Sequence, residues 1–207
     1  MIYFNCDYLE GGHPKILEKM LSTNMEQLTG YSTDHYCDSA RERIRQACGC
    51  PDADVHFLVG GTQTNLTAIA SILRPYQGVL AAHDGHIACH ETGAIEATGH
   101  KVLPIPCVDG KITADQVREF CHSHQTNTMR EHMVQPGMVY ISFPTEIGSL
   151  YTKKELKAGK ECFKSHRGLR GRDGARPVGH GPAPSWAKPF RFETAFFQRR
   201  STPKNGG

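Results

Sequence analysis

The chain holds a single tryptophan among its 207 residues and no apolar run long enough to span a membrane. Residues Met1 to Asp7 lack the basic and then apolar layout of a secretory leader, so a soluble, cytoplasmic protein without a membrane partner is expected. Eight cysteines are scattered with no CxxC pair and no regular spacing. That excludes a disulfide framework and favours reduced thiols, in a chain long enough to bury a sizeable core. The two common phosphate fingerprints are also missing around Gly60-Gly61: no Lys-Ser/Thr follows the glycines, and no third glycine stands at dinucleotide spacing.

Charge of one sign is scarce in each part of the chain. Residues 1–150 carry 10 Lys+Arg against 17 Asp+Glu, a net of −7, whereas residues 151–207 carry 14 against 4, a net of +10. The total of +3 hides this inversion. A basic tail can serve nucleic acid or an acidic membrane surface, but it is also what a chain shows where it has lost its domain or its reading frame.

What is present centres on Val59-Gly60-Gly61-Thr62-Gln63-Thr64-Asn65. It follows Val55-His56-Phe57-Leu58, which has the β-branched and aromatic content of a buried strand, and it opens a helical pattern with Leu66, Ile69, Ala70 and Leu73 on one face. At such a turn the first helical N–H groups have no partners, the helix dipole adds positive charge, and glycine lets a ligand approach the main chain. The turn suits a phosphate, with Thr62 and Thr64 as further donors. It also reads as an ordinary strand-to-helix turn capped by Thr62, and local grammar leaves both readings open.

Before this stretch, Gly11-Gly12-His13-Pro14 precedes a helix with Ile16, Leu17, Met20 and Leu21 on its apolar face, and a second helix is predicted over 36–47. After it come a strand over 78–82, a helix over 86–97, a strand over 101–106, a helix from Thr113 to about His122, a strand over 137–142 and a helix over 153–163. This alternation predicts an α/β fold, a mostly parallel sheet with helices on both faces. In such sheets ligands collect at the carboxyl ends of the strands. The Gly60-Gly61 turn, segment 83–91 and the loop after Ser142 all fall at such ends and are expected to line one site.

From Tyr151 the pattern decays. As a core strand, Arg167-Gly168-Leu169-Arg170-Gly171-Arg172 would bury three guanidinium groups. Residues 1–165 therefore read as an α/β domain, and 166–207 as a basic Gly/Pro-rich tail with little cooperative structure.

Two further constellations bear on chemistry. His83, His86 and His90 fall at i, i+3 and i+7 beside Glu91, and Cys121-His122-Ser123-His124 follows later, both compatible with Zn or Ni ligation. No complete four-ligand spacing appears, so no metal is assigned. Asp173-Gly174-Ala175-Arg176 places a carboxylate and a guanidinium three residues apart, able to meet a cationic nitrogen and a substrate carboxylate, or simply to form a solvated surface turn.

Together, Asp7 to Pro14, Gly30-Tyr31-Ser32-Thr33-Asp34, Phe57 to Asn65, His86 to His100 and Tyr140 to Tyr151 resemble the threonine aldolase and aromatic amino acid β-eliminating lyase family, whose members depend on pyridoxal 5'-phosphate (PLP). The resemblance implies the aspartate aminotransferase type of fold, with a large PLP-binding α/β domain, a smaller carboxyl-terminal domain and active sites at a subunit interface of a homodimer or homotetramer. It assigns Gly61 and Thr62 to the cofactor phosphate, His86 to stacking on the pyridine ring and to proton transfer, and Asp173 to the pyridinium nitrogen. Arg176 is assigned to the substrate carboxylate, and Tyr31 to a loop that lines the site. The implied reaction cleaves the Cα–Cβ bond of a small β-hydroxy-α-amino acid, releasing glycine and an aldehyde; β-elimination is the alternative within the family.

The chain departs from the family at Leu9, where a small hydroxyl residue is usual, and at the basic segment before Asp173, apolar in relatives. Only Lys204, in Ser201-Thr202-Pro203-Lys204-Asn205-Gly206, resembles the lysine that carries the cofactor, and three residues follow it. These departures predict a fragment, or a frame disrupted after about Leu156, with the small domain missing. The competing class is a noncatalytic binding protein that keeps a phosphate pocket and uses the basic tail for a partner; nucleic acid is not the expected one.

Overall fold

The computed structural model describes Tyr3 and residues 9–168; Asp173, Arg176, Lys204 and nearly all of the tail predicted for 166–207 lie outside the described residues. The chain forms two compact units, one ending at Phe57 and one beginning at Leu58.

In the first unit, α1 (Pro14–Thr23) begins with proline at its first position, where the missing N–H costs nothing, and the His13 ring accepts from Lys15 N–H at 3.2 Å. Helix α2 (His35–Cys48) starts at Asp34, whose carboxylate accepts from Cys37 N–H at 2.9 Å, and stops at Gly49 with φ 61°. Arg41 and Arg45 then reach from α2 to the Val55 and Ala53 carbonyls at 3.2 and 2.8 Å. The strand predicted over 55–58 does not form. The Val55 carbonyl is occupied by a guanidinium instead of a neighbouring strand, and Phe57 and Leu58 each remain 40% exposed.

The second unit is built on three parallel strands in the order β2-β1-β3, where β1 is Gln77–Ala82, β2 Val102–Ile105 and β3 Gln135–Val139. Central β1 is buried along its whole length, as a parallel strand covered on both faces must be. Side chains sort by the period of two. Val79, Ala81 and Val102 pack with Ile69 and Leu73 from the α3 side (α3, Gly61–Ile72) and with Ile87 and Ile95. Leu80, Ala82, Leu103 and Ile105 face the other way, onto Val117 and Cys121 of a helix at Ala114–Thr126 and Cys162 of one at Lys153–Gly168.

The strands predicted over 78–82, 101–106 and 137–142 are therefore present, with β3 starting two residues earlier and ending at Val139. The predicted helix over 86–97 is not continuous. It is one turn, α4 (His86–Cys89), ending at His90 with φ −122°; beyond it Thr92 and Gly93 take φ of 49° and 75°, which no helix continues through, and a 3-10 turn follows at Glu96–Thr98. Helix α5 (Ala114–Thr126) outruns its prediction by a turn from the capping box of Thr113 and Gln116, and α6 (Lys153–Gly168) is opened by reciprocal bonds between Thr152 and Glu155. Among the described residues no helix is long and apolar enough to cross a membrane.

Candidate active site

Helix α3 begins at Gly61, two residues earlier than a Thr62 cap requires. Its N-cap is Gly60, in extended conformation and offering no side-chain bond to the N–H groups of the first turn. Gln63 instead turns back to accept from Val59 N–H at 2.9 Å, and the Thr64 hydroxyl donates to Gly60 O at 2.9 Å. A Cβ added at Gly60 or Gly61 would meet nothing within 4 Å. The helix thus presents its positive end and uncapped amides to open space, with Gly61 and Thr62 as its first two residues.

One turn further on, Asn65 is buried and donates to Glu91 Oε1 at 2.5 Å. The same oxygen lies 2.8 Å from His86 Nδ1, and Asn65 also approaches the Tyr140 hydroxyl at 3.4 Å. His86 is the first residue of α4, at the carboxyl end of β1, and its main-chain N–H donates to Ser142 Oγ at 3.4 Å. Three segments thus meet: the first turns of α3, the β1–α4 connection and the chain just past β3. Burial pushes the Tyr140 phenol up, with hydrogen bonds from Ser142 and Asn65 acting against it and the Glu91 charge adding to it.

The Glu91 side chain is fully buried, while the His86 side chain is 40% exposed. A carboxylate taken out of water is costly unless its lone pairs are used, and here two N–H donors converge on one oxygen. Oε2 is buried with no hydrogen-bond partner among the described residues. With the carboxylate accepting, Nδ1 carries the proton and Nε2 is left to accept or donate one. The arrangement fixes an imidazole from behind and leaves its ring accessible.

This geometry fits a phosphate-bearing aromatic ring. The uncapped start of α3 suits the phosphate, and an imidazole held by a buried carboxylate suits stacking on a flat heterocycle. Of the residues expected at the site, the structure joins His86 to the α3 terminus that carries Gly61 and Thr62, through Asn65 and Glu91. Tyr31 lies in the first unit, fully exposed and with φ 58°; Asp173, Arg176 and Lys204 lie outside the described residues. Sequence reasoning placed Glu91 only as a neighbour of the histidines and did not single out Asn65 or Tyr140. The available signal was the lone acidic residue in the otherwise uncharged run Ile87 to Ile95.

The three histidines do not assemble as a metal set. His83 precedes α4, and the rings of His86 and His90 are 5.7 Å apart and tilted. Cys121 and His124 are buried on α5. The one group of three metal-capable side chains among the described residues is instead His83, Asp84 and Cys107.

A sequence model of the beta-eliminating lyases matches residues 4–179. The chain is 30% identical over 157 residues to a low specificity L-threonine aldolase of Pseudomonas sp. and 29% identical to one of Pseudomonas aeruginosa, covering 75% of this chain and 44% of each relative. A solved structure of Leishmania major threonine aldolase superposes with a TM-score of 0.72 at 49% identity, over 77% of this chain and 45% of that one. The chain spans less than half the length of these relatives.

Proposed function

This chain belongs to the beta-eliminating lyase family, and from that membership we propose that it carries part of the PLP site of a lyase that cleaves threonine-like β-hydroxy-α-amino acids to glycine and an aldehyde. The observation that carries the reading is the His86–Glu91–Asn65 chain of hydrogen bonds tied to the uncapped start of α3. The names of the aldolases it resembles support the substrate class.

In this reading Gly61 and Thr62 receive the cofactor phosphate on main-chain N–H groups, with the Thr62 hydroxyl as a further donor. Glu91 and Asn65 hold the His86 ring against the cofactor's face, and Nε2 is the atom that takes or returns a proton. PLP, when bound, supplies the electron sink for charge left on Cα as the Cα–Cβ bond breaks. Asp173, Arg176, Lys204 and Tyr31 take the roles the family resemblance gives them: ring-nitrogen partner, carboxylate clamp, cofactor-bearing lysine and loop residue. A homo-oligomer and a small amino acid substrate complete the proposal.

The test compares PLP with pyridoxal, which lacks the phosphate, on the full chain. PLP is expected to bind at least about tenfold more tightly, corresponding to about 1.4 kcal/mol of phosphate contact. Borohydride reduction should fix the cofactor on Lys204, identified by peptide mass. Equal affinity for the two compounds, or an adduct spread over many lysines, would refute the site. Glycine from threonine or allo-threonine would mark the aldol cleavage, and a keto acid with ammonia the elimination.

A further inference from the structure

We propose that His83, Asp84 and Cys107 form a binding site for one zinc-like divalent transition-metal ion at the carboxyl ends of β1 and β2. Donor atoms of the three side chains all lie within 4.8 Å of one another. Cys107 Sγ stands 3.4 Å from His83 Nδ1 and 3.0 Å from Asp84 Oδ1. A tetrahedral zinc ion, with Zn–S of about 2.3 Å and Zn–N of about 2.0–2.1 Å, separates sulfur from nitrogen by roughly 3.6 Å. The sulfur–nitrogen edge is nearly at that length, and the sulfur–oxygen edge must open by roughly half an ångström. Thiolate, imidazole and carboxylate together suit zinc or cobalt better than calcium or magnesium, which prefer all-oxygen shells.

The backbone holds the donors in place. His83 N–H donates to Ile105 O at 2.9 Å, continuing the β1–β2 pairing past its last partners, and Gly85 N–H closes the turn around Asp84 onto Ala82 O at 2.9 Å. A Cβ at Gly85 would sit 3.0 Å from that carbonyl. Cys107 is followed by a two-residue hairpin, Val108 paired with Lys111 by two backbone bonds around Asp109 and Gly110, whose φ values of 55° and 69° are those of an Asp-Gly hairpin turn. His83 is exposed and the other two are half-buried, so an ion can reach the group from solvent.

Without metal, burial and then the hydrogen bond to Asp84 push the Cys107 thiol up, while main-chain groups of Asp84 and Gly110 act in the opposite direction. Binding forms the sulfur–metal bond as the S–H bond breaks, and the proton leaves to solvent; no electron is transferred. Water completes the coordination. None of the three residues is used in the PLP reading, and the site stands or falls without it.

The test titrates Co2+ into the full chain after chelator treatment, with no PLP present. One equivalent should bind with thiolate-to-cobalt charge-transfer absorption, displaced by Zn2+. Cys107→Ser should abolish the band, and Asp84→Asn should weaken binding at least about tenfold, since even loss of an outer partner costs about 10–100-fold. Cys48→Ser, an exposed thiol of the first unit, should change nothing. Circular dichroism confirms that each variant is folded. A band that survives Cys107→Ser, or a folded wild-type chain that gives no band, overturns the site.

Discussion

In the first unit α1 and α2 have well-formed ends yet bury no side chain, and Ile16, Leu17, Met20 and Leu21 remain largely exposed. In the second unit the same kinds of caps start α5 and α6, but the helices close over a sheet whose Val79, Leu80 and Ala81 are fully buried. Local grammar is thus equally good in both units, and burial is not. A helix of ten residues with no buried face is marginal in water, so what α1 gains from Pro14 does not account for its amphipathic sequence.

The largest expected effect follows from that contrast. Leu80→Ala should cost about 2–5 kcal/mol in urea unfolding, while Leu17→Ala should stay within about 0.5 kcal/mol. A large cost for Leu17→Ala would break the comparison, because it would mean that the α1 face is covered in solution. A smaller difference is expected between glycines. A Cβ at Gly78 would lie 2.5 Å from Lys101 O and 2.9 Å from Val134 Cγ1, whereas at Gly11 it meets nothing within 4 Å. Gly78→Ala should destabilise by about 1–3 kcal/mol, and Gly11→Ala should be nearly silent in the same measurement.

The smallest effect sharpens the account of the first unit. Hydrogen bonds with Cys37 hold the Asp34 carboxyl below its ordinary value of 3.8. A folded-state pKa below the unfolded one means that the unfolded chain binds the proton more readily in acid, so the contribution is complete above the ordinary value and is lost as pH falls through the folded one. Helical circular dichroism should therefore show an acid loss below about pH 4 that Asp34→Asn lacks, with the two proteins alike at pH 7, since asparagine caps about as well as aspartate.

The legible parts of the sequence were those governed by nearest neighbours. Thr113 with Gln116, Asp34 ahead of α2 and the apolar runs of β1 and β2 gave the elements and the parallel sheet nearly where they occur. The misreadings concern a side-chain partner in one case and a local backbone conformation in the other. Val55 looks like a strand residue, but Arg41 takes its carbonyl; the helical pattern after His86 is broken by left-handed Thr92 and Gly93. Among the candidate residues, Gly61 and Thr62 were readable from the glycine turn that opens a helix, and His86 from the family resemblance. Asn65 and Glu91, 26 positions apart in sequence, became partners only when α3 packed beside the β1–α4 connection.

The sequence by itself determined the alternation of strands and helices, the family and the presence of a glycine turn ahead of α3, because periodicity, capping and short motifs act within a few residues. Tertiary structure alone decided that a buried carboxylate stands behind His86, and that His83 turns from its fellow histidines to Asp84 and Cys107. Both depend on which strand ends lie side by side. That order is set by burying the two faces of β1, a demand of the whole sheet that no short window contains.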